Sequence, residues 1–279
     1  MLESIADIWQ FQFIRHAVMA GLLASIACGI IGTFVVVKRI VFLSGGISHS
    51  AYGGIGLGYY LGFNPILGAV GFSLAAALGI AWVRRKAGQR EDTLIGAMWA
   101  FGMAIGILLI DKTPGYAPNL MSYLFGNILT VPTSDLVLMA FLDLLIFVTV
   151  FLLFKEFKAL TFDEEYAAIS GVPVALLNIV LFCLVALTAV ILIRAVGIIL
   201  VIALLTLPAA TLVQFDLSLE KTAIGAALLG IVFTLSGLAL SAAFNVTSGA
   251  TIIMVACAGY LLSMPVKALT ARARGRAQG

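Results

Sequence analysis

The chain has 279 residues, of which 62% are hydrophobic and 10% charged, and its formal net charge is +3. A soluble domain carries about 25% charged residues, so a water-soluble globule is excluded. No basic patch with interleaved aromatics points to nucleic acid, so no nucleic-acid partner is expected.

The opening MLESIADIWQFQF is acidic and amphipathic and has no basic n-region, so a cleaved signal peptide is not expected. Apolar stretches follow at residues 14–37, 47–61, 65–83, 93–110, 134–154, 173–193, 196–215, 222–244 and 249–264. Their lengths suit bilayer-crossing helices of about 20 residues. The expectation is an all-α, polytopic helical bundle of nine transmembrane helices, or eight, forming a single domain over residues 1–279. Residues 120–129 are too short to cross and lie among Pro114, Gly115, Pro118 and Pro132, which reads as a re-entrant or interfacial turn at the outer mouth. Cys28, Cys183 and Cys257 each sit in an apolar run without a C-x-x-C pair and read as packing residues.

If the first helix ends inside at Lys38 and Arg39 and the crossings alternate, thirteen of the sixteen Lys and Arg fall inside. Only Arg15, Lys112 and Arg194 stay outside. Basic residues collect on the cytoplasmic side, so the N-terminus is expected outside and the C-terminus in the cytoplasm.

Four stretches could carry chemistry. In SGGISHSAYGGIGLGYYLG, residues 44–62, His49 lies ten residues past Arg39, roughly 15 Å along a helix and close to the bilayer centre. His49, Gly53, Gly56 and Tyr60 share one face, and Ser50, Gly54 and Gly58 form a small-residue row beside it, which permits close helix approach. An imidazole at that depth is either a ligand for a divalent transition metal or a neutral histidine bonded to a carbonyl in a packed bundle. In KEFKALTFDEEYAAISGVP, residues 155–173, three consecutive acids enter a short helix that Thr161 or Asp163 can cap and Gly171 can end. It reads as a solvated connection or as a docking helix for a cytoplasmic partner.

In RAVGIILVIALLTLPAAT, residues 194–211, Pro208 frees the carbonyl of Leu204 and suits a kinked helix. In FNVTSGATIIMVACAGYLL, residues 244–262, the turn of Asn245, Thr247, Ser248 and Gly249 can present oxygens to a cation or serve as an ordinary helix cap. Asp143, near the midplane, needs a partner or a protonated state and reads as a polar packing contact. His16 reads as interfacial.

Together these stretches resemble the membrane subunit of the ABC-type importers for zinc, manganese and iron(II), the ABC-3 metal permeases, over nearly the whole chain. The resemblance rests on Lys38 and Arg39 leading to Ser48 and His49, and on Phe162, Asp163, Glu165 and Ala167, with Gly171 one position later than the family's common spacing. It rests also on the V-G-x-x-L-V-x-A-L-L-x-x-P-A-A-T helix ending at Thr211, the S-G-A-T-I start of the last helix, and the segment LMSYLFGNIL. The chain departs from the family where Gly45, Asn127 and Asn245 stand in place of acids.

The resemblance implies a metal path lined by His49, Ser48 and Asn245, and a close-packed gate helix carrying Gly45, Gly53 and Gly56. It implies a coupling segment at about 161–171 with Asp163, Glu164, Glu165, Tyr166, Ala167 and Gly171. The implied assembly is a permease homodimer in the plasma (inner) membrane of a prokaryote, surrounded by lipid. A cytoplasmic ABC ATPase dimer and an extracytoplasmic metal-binding protein complete it. The implied cargo is a divalent transition metal, zinc ahead of manganese or iron because the missing carboxylates weaken a hard-cation site. No cofactor is expected to stay bound, and ATP is expected on the partner. The chain has no G-x-x-x-x-G-K-[ST] and is not expected to be an enzyme itself.

Three other functions compete. An intramembrane serine protease built on Ser48, Ser50 and His49 fails, because adjacent helical residues point about 100° apart and Ser48 cannot pair with His49. An ion-coupled secondary carrier would show buried relays beyond Asp143 and an inverted repeat, and neither is evident. An ABC permease for cobalamin or siderophores, built on related mechanics, remains an alternative.

Overall fold

The computed structural model describes residues 10–87, 91–114 and 126–277. Every one of the nine apolar stretches carries a helix. In chain order these are α1 (Gln12–Val37), α2 (Val41–Leu61), α3 (Pro65–Ala87), α4 (Glu91–Asp111), a 3-10 turn (Ile128–Thr130) and α5 (Thr133–Leu152). They continue with α6 (Phe154–Phe162), α7 (Glu164–Ile169), α8 (Val174–Val196), α9 (Ile198–Val213), α10 (Leu219–Phe244) and α11 (Ser248–Ala277). Seven of them, α1, α3, α4, α5, α8, α10 and α11, are long and apolar enough to cross a membrane. Glycine- and serine-rich α2 is not among those seven. Nor is α9, whose 16 residues span about 24 Å, short of the about 30 Å hydrocarbon layer.

Local chemistry sets the boundaries. Gly62, at φ 73°, ends α2, and the Asn64 side chain accepts from the Ile66 N–H at 2.9 Å ahead of Pro65, which opens α3. The break expected around Arg194 falls instead at Gly197, whose φ of 79° and ψ of 162° only glycine adopts without strain. One residue therefore separates α8 from α9. Most of the expected turn at 120–129 lies outside the described residues. At its edge Asn127 caps the 3-10 turn by accepting from Leu129 N at 3.2 Å, and Ile128 is buried.

The bundle has two packed groups. In one, α1 is the centre and packs on α10, α9, α5 and α8. Gly29 touches the backbone of Ala227 and Gly32 touches the carbonyl of Leu205, so α1 meets α10 and α9 at backbone distance. In the other, α2 is sandwiched between α3 and α4, and α8 joins the groups by packing on α3, α1 and α2. The outward sides of α4, α5, α10 and α11 expose residues such as Phe101, Phe141, Leu228 and Leu261, the surface that lipid or another subunit would cover.

At one end of the bundle Glu164 pairs with Lys38 and, at 3.7 Å, with Arg84, while Lys158 pairs with Glu220 at 2.9 Å. These contacts gather the ends of α1 and α3, the α6–α7 segment and the start of α10. Elsewhere, near the start of α1, His16 Nδ1 lies 2.9 Å from the Val131 carbonyl and holds that helix to the turn before α5.

Candidate translocation path and coupling segment

His49 sits near the middle of α2 and is 8% exposed. Its ring stacks on Trp99 of α4, with centroids 4.0 Å apart and planes 14° apart, and its Nδ1 lies 3.3 Å from Met103 Sδ. Trp99 and Met103 are four residues apart, one above the other on the α4 face that meets α2. In the tautomer with Nδ1 protonated, that N–H donates to the thioether and Nε2 keeps its lone pair for a ligand.

The rest of α2 is built for contact. Gly56 abuts the backbone of Gly106, Gly54 abuts that of Gly68, and Gly102 faces the Cα of Ser50. A Cβ on Gly53 would stand 2.9 Å from Ile105 and from Phe72. One on Gly45 would stand 3.2 Å from Trp99 and 3.3 Å from Ile202, so apolar atoms surround the position one turn before His49. Ser48 is fully buried and donates to the Ser44 carbonyl at 2.7 Å. Ser50 donates to the Gly46 carbonyl at 2.7 Å. The glycine faces thus pack within the chain, against α3 and α4.

Asn245 lies apart from this set. It is exposed in the turn between α10 and α11, helices that pack chiefly on α1 and α9. With φ at 52° it caps the end of α10, its N–H bonding the Ser241 carbonyl. Asp143 is buried on α5, and neither of its carboxyl oxygens has a hydrogen-bond partner. Among the described residues no group of three or more His, Cys, Asp or Glu is placed to hold a metal ion. Any ion at His49 would complete its shell with water, sulfur or another chain.

Within residues 161–171, the segment expected to couple, Asp163 ends α6 and caps α7, accepting from the Tyr166 N–H at 2.9 Å. Thr161, the other candidate cap, instead donates back to the Phe157 carbonyl at 2.6 Å. Gly171, at φ 83°, terminates the turn, with the Val172 N–H bonding the Ala167 carbonyl at 3.0 Å. Ala167 is fully buried and fixes α7 to the bundle. Glu165 is exposed, but Glu164 turns inward to Lys38, whose side chain is 5% exposed and which also donates to the Leu160 carbonyl at 3.2 Å. Burial pulls the Lys38 ammonium below the ordinary lysine value, and the bond to Glu164 works against that shift. Phe162, at the end of α6, and Tyr166 and Ile169, three residues apart on α7, are 66%, 67% and 87% exposed.

Reasoning from sequence missed Trp99, Met103, and the roles of Lys38 and Arg84. The i, i+4 spacing of Trp99 and Met103 beside Gly102 and Gly106 was the available signal for the first pair. No local signal announced the second.

Residues 10–267 match the ABC 3 transport family. The chain belongs to that family. Among its ABC 3 relatives, an uncharacterized membrane protein of Synechocystis is 53% identical over 264 residues, covering 95% of this chain and 94% of the relative. The manganese transport system membrane protein MntC of Listeria monocytogenes is 34% identical over 252 residues, covering 90% of each. Among solved structures, PsaBC from Streptococcus pneumoniae in complex with Fab superposes with a TM-score of 0.84 at 30% identity, covering 93% of each chain. The family resemblance and the all-α polytopic fold class read from the sequence both hold. This ABC 3 member is a multi-pass plasma-membrane protein.

Proposed function

We propose that the chain is the permease subunit of an ABC importer that moves a divalent transition metal into the cell, paired with a second copy. A separate ATPase dimer drives it from the cytoplasm and an extracytoplasmic metal-binding protein delivers the cargo. The observation that carries this reading is His49, a buried imidazole midway along α2 with a thioether at Nδ1, which leaves Nε2 to ligate. Family membership and the relative named for manganese transport support it. The α6–α7 segment serves as the docking element. Exposed Phe162, Tyr166 and Ile169 supply an apolar contact for the ATPase, and Glu165 supplies charge beside them.

Two readings of the cargo rest on different observations. Imidazole with a nearby thioether and no carboxylate suits zinc, whereas the name of the Listeria relative favours manganese, which prefers oxygen ligands. Uptake of radiolabelled zinc and manganese by cells lacking the endogenous permease, complemented with this chain, separates them. His49→Ala is expected to lower uptake at least about tenfold while folded protein is still recovered, because alanine suits the helix although it leaves a cavity beside Trp99. His49→Gln, which offers an oxygen, is expected to restore much of manganese uptake and little of zinc uptake. Full uptake by the alanine variant would make His49 a packing residue and remove the basis of this reading.

A further inference from the structure

Met103 Sδ, 3.3 Å from His49 Nδ1, belongs to a residue 54 positions along the chain. A metal-ligating histidine ordinarily donates its second ring N–H to a carboxylate, a backbone carbonyl or water, which fixes the tautomer and strengthens the ligating nitrogen as an electron donor. Thioether sulfur is a much weaker acceptor. It can therefore fix the tautomer while adding little to the donor strength of Nε2.

Packing holds the pair in register. Met103 lies between Gly102 and Gly106 on α4, and these meet the Cα of Ser50 and the carbonyl of Tyr52 on α2, so backbone contacts flank the sulfur on both sides. The stacked indole of Trp99 sets the plane of the imidazole and is itself packed on Phe42, with ring centroids 6.1 Å apart. Neighbouring hydroxyls are turned away from the ring: Ser48 donates to the Ser44 carbonyl, and Ser50 to the carbonyls of Gly46 and Met98. Among the described residues, Met103 is thus the hydrogen-bond partner left to the imidazole. We infer that Met103 is the positioning residue of the His49 site: its sulfur holds the ring with Nδ1 protonated and Nε2 bare, and its weakness as an acceptor keeps Nε2 a ligand of moderate strength. This rests on the reading of His49 as a ligand. In a transport site the second effect matters as much as the first, because an ion held too tightly is not released on the far side.

The chain has two histidines, so ¹⁵N-imidazole spectra of the full chain in detergent contain two sets of ring signals, which His16→Gln assigns. In zinc-free protein His49 is expected as the neutral Nδ1–H tautomer, and added zinc is expected to move the Nε2 signal. Met103→Leu, close in volume, is expected to keep the melting temperature but lose the fixed tautomer, and to bind zinc about tenfold more weakly in the same titration. Met103→Gln places a stronger, uncharged acceptor within reach. It is expected to restore the tautomer, tighten zinc binding beyond wild type, and lower both the apparent KM and the maximal rate of zinc uptake. A methionine that only fills space would move none of these readouts. If zinc still shifts the ring signals, a wild-type ring protonated at Nε2, or a Met103→Leu variant with unaltered tautomer and affinity, would overturn the positioning role alone. Zinc that leaves the His49 signals unmoved, with uptake unchanged in His49→Ala, would remove the ligand reading itself and this inference with it.

Discussion

Glu164 and Glu165 are neighbours with opposite surroundings. Glu165 is exposed, whereas Glu164 bridges Lys38 and Arg84 from two other helices. Charge reversal therefore separates docking from folding. Glu165→Lys is expected to leave the melting temperature in detergent unchanged while ATP hydrolysis loses its dependence on transport. Glu164→Lys sets a third cation against Lys38 and Arg84 and is expected to cost about 2–4 kcal/mol, read as a lower melting temperature and reduced expression. Equal stability of the two variants would deny Glu164 its anchoring role. The Asp163 cap and the Gly171 stop were legible because both act within four residues of chain. The Lys38–Glu164 pair was not, since its partners are 126 residues apart and either reads locally as an ordinary surface charge. Likewise the place of His49 within a helix was legible along the chain, but the indole and thioether beside it come from α4.

Among the elements, α2 shows most clearly how composition becomes contact. Its small-residue rows were readable as a surface for close approach, yet nothing local said whether the approaching helix belonged to this chain or to a second copy. The structure assigns Gly54 to the backbone of Gly68 on α3, and Gly56 to that of Gly106 on α4. Gly71, on α3, faces open space, and a Cβ there would meet nothing within 4 Å. Gly54→Ala is accordingly expected to lose about 3 kcal/mol or more in thermal or denaturant unfolding, since backbone cannot move aside as a side chain can. Gly71→Ala should be neutral or stabilising by up to about 1 kcal/mol from helix propensity alone. Similar losses at both positions would mean that α2 and α3 are not in backbone contact. The junction of α8 and α9 was misjudged by a few residues because Arg194 is the polar residue there, while the bend itself needs only the torsional freedom of Gly197.

Across the whole molecule, charge asymmetry and packing agree on one polar end. The ion pairs draw Lys38, Arg84 and Lys158 together there, three of the thirteen basic residues expected inside. A reporter fused after Gly279 should therefore lie in the cytoplasm and one placed before Glu3 outside, as checked by protease protection in sealed vesicles. External cleavage of the C-terminal reporter would reverse the assignment. The same ion pairs bear on movement. Glu164 ties the coupling segment to the tail of α3, α3 is locked to α2 at Gly68 and Gly54, and α2 is locked to α4 at Gly56 and Gly106. Spin labels on α2 and α4 should thus keep a fixed separation through the ATP cycle, while labels on α2 and α10 change theirs. A push on α7 would swing His49, Trp99 and Met103 together as a hinged panel, so access to the imidazole would open or shut without the ring ever sliding past its neighbours.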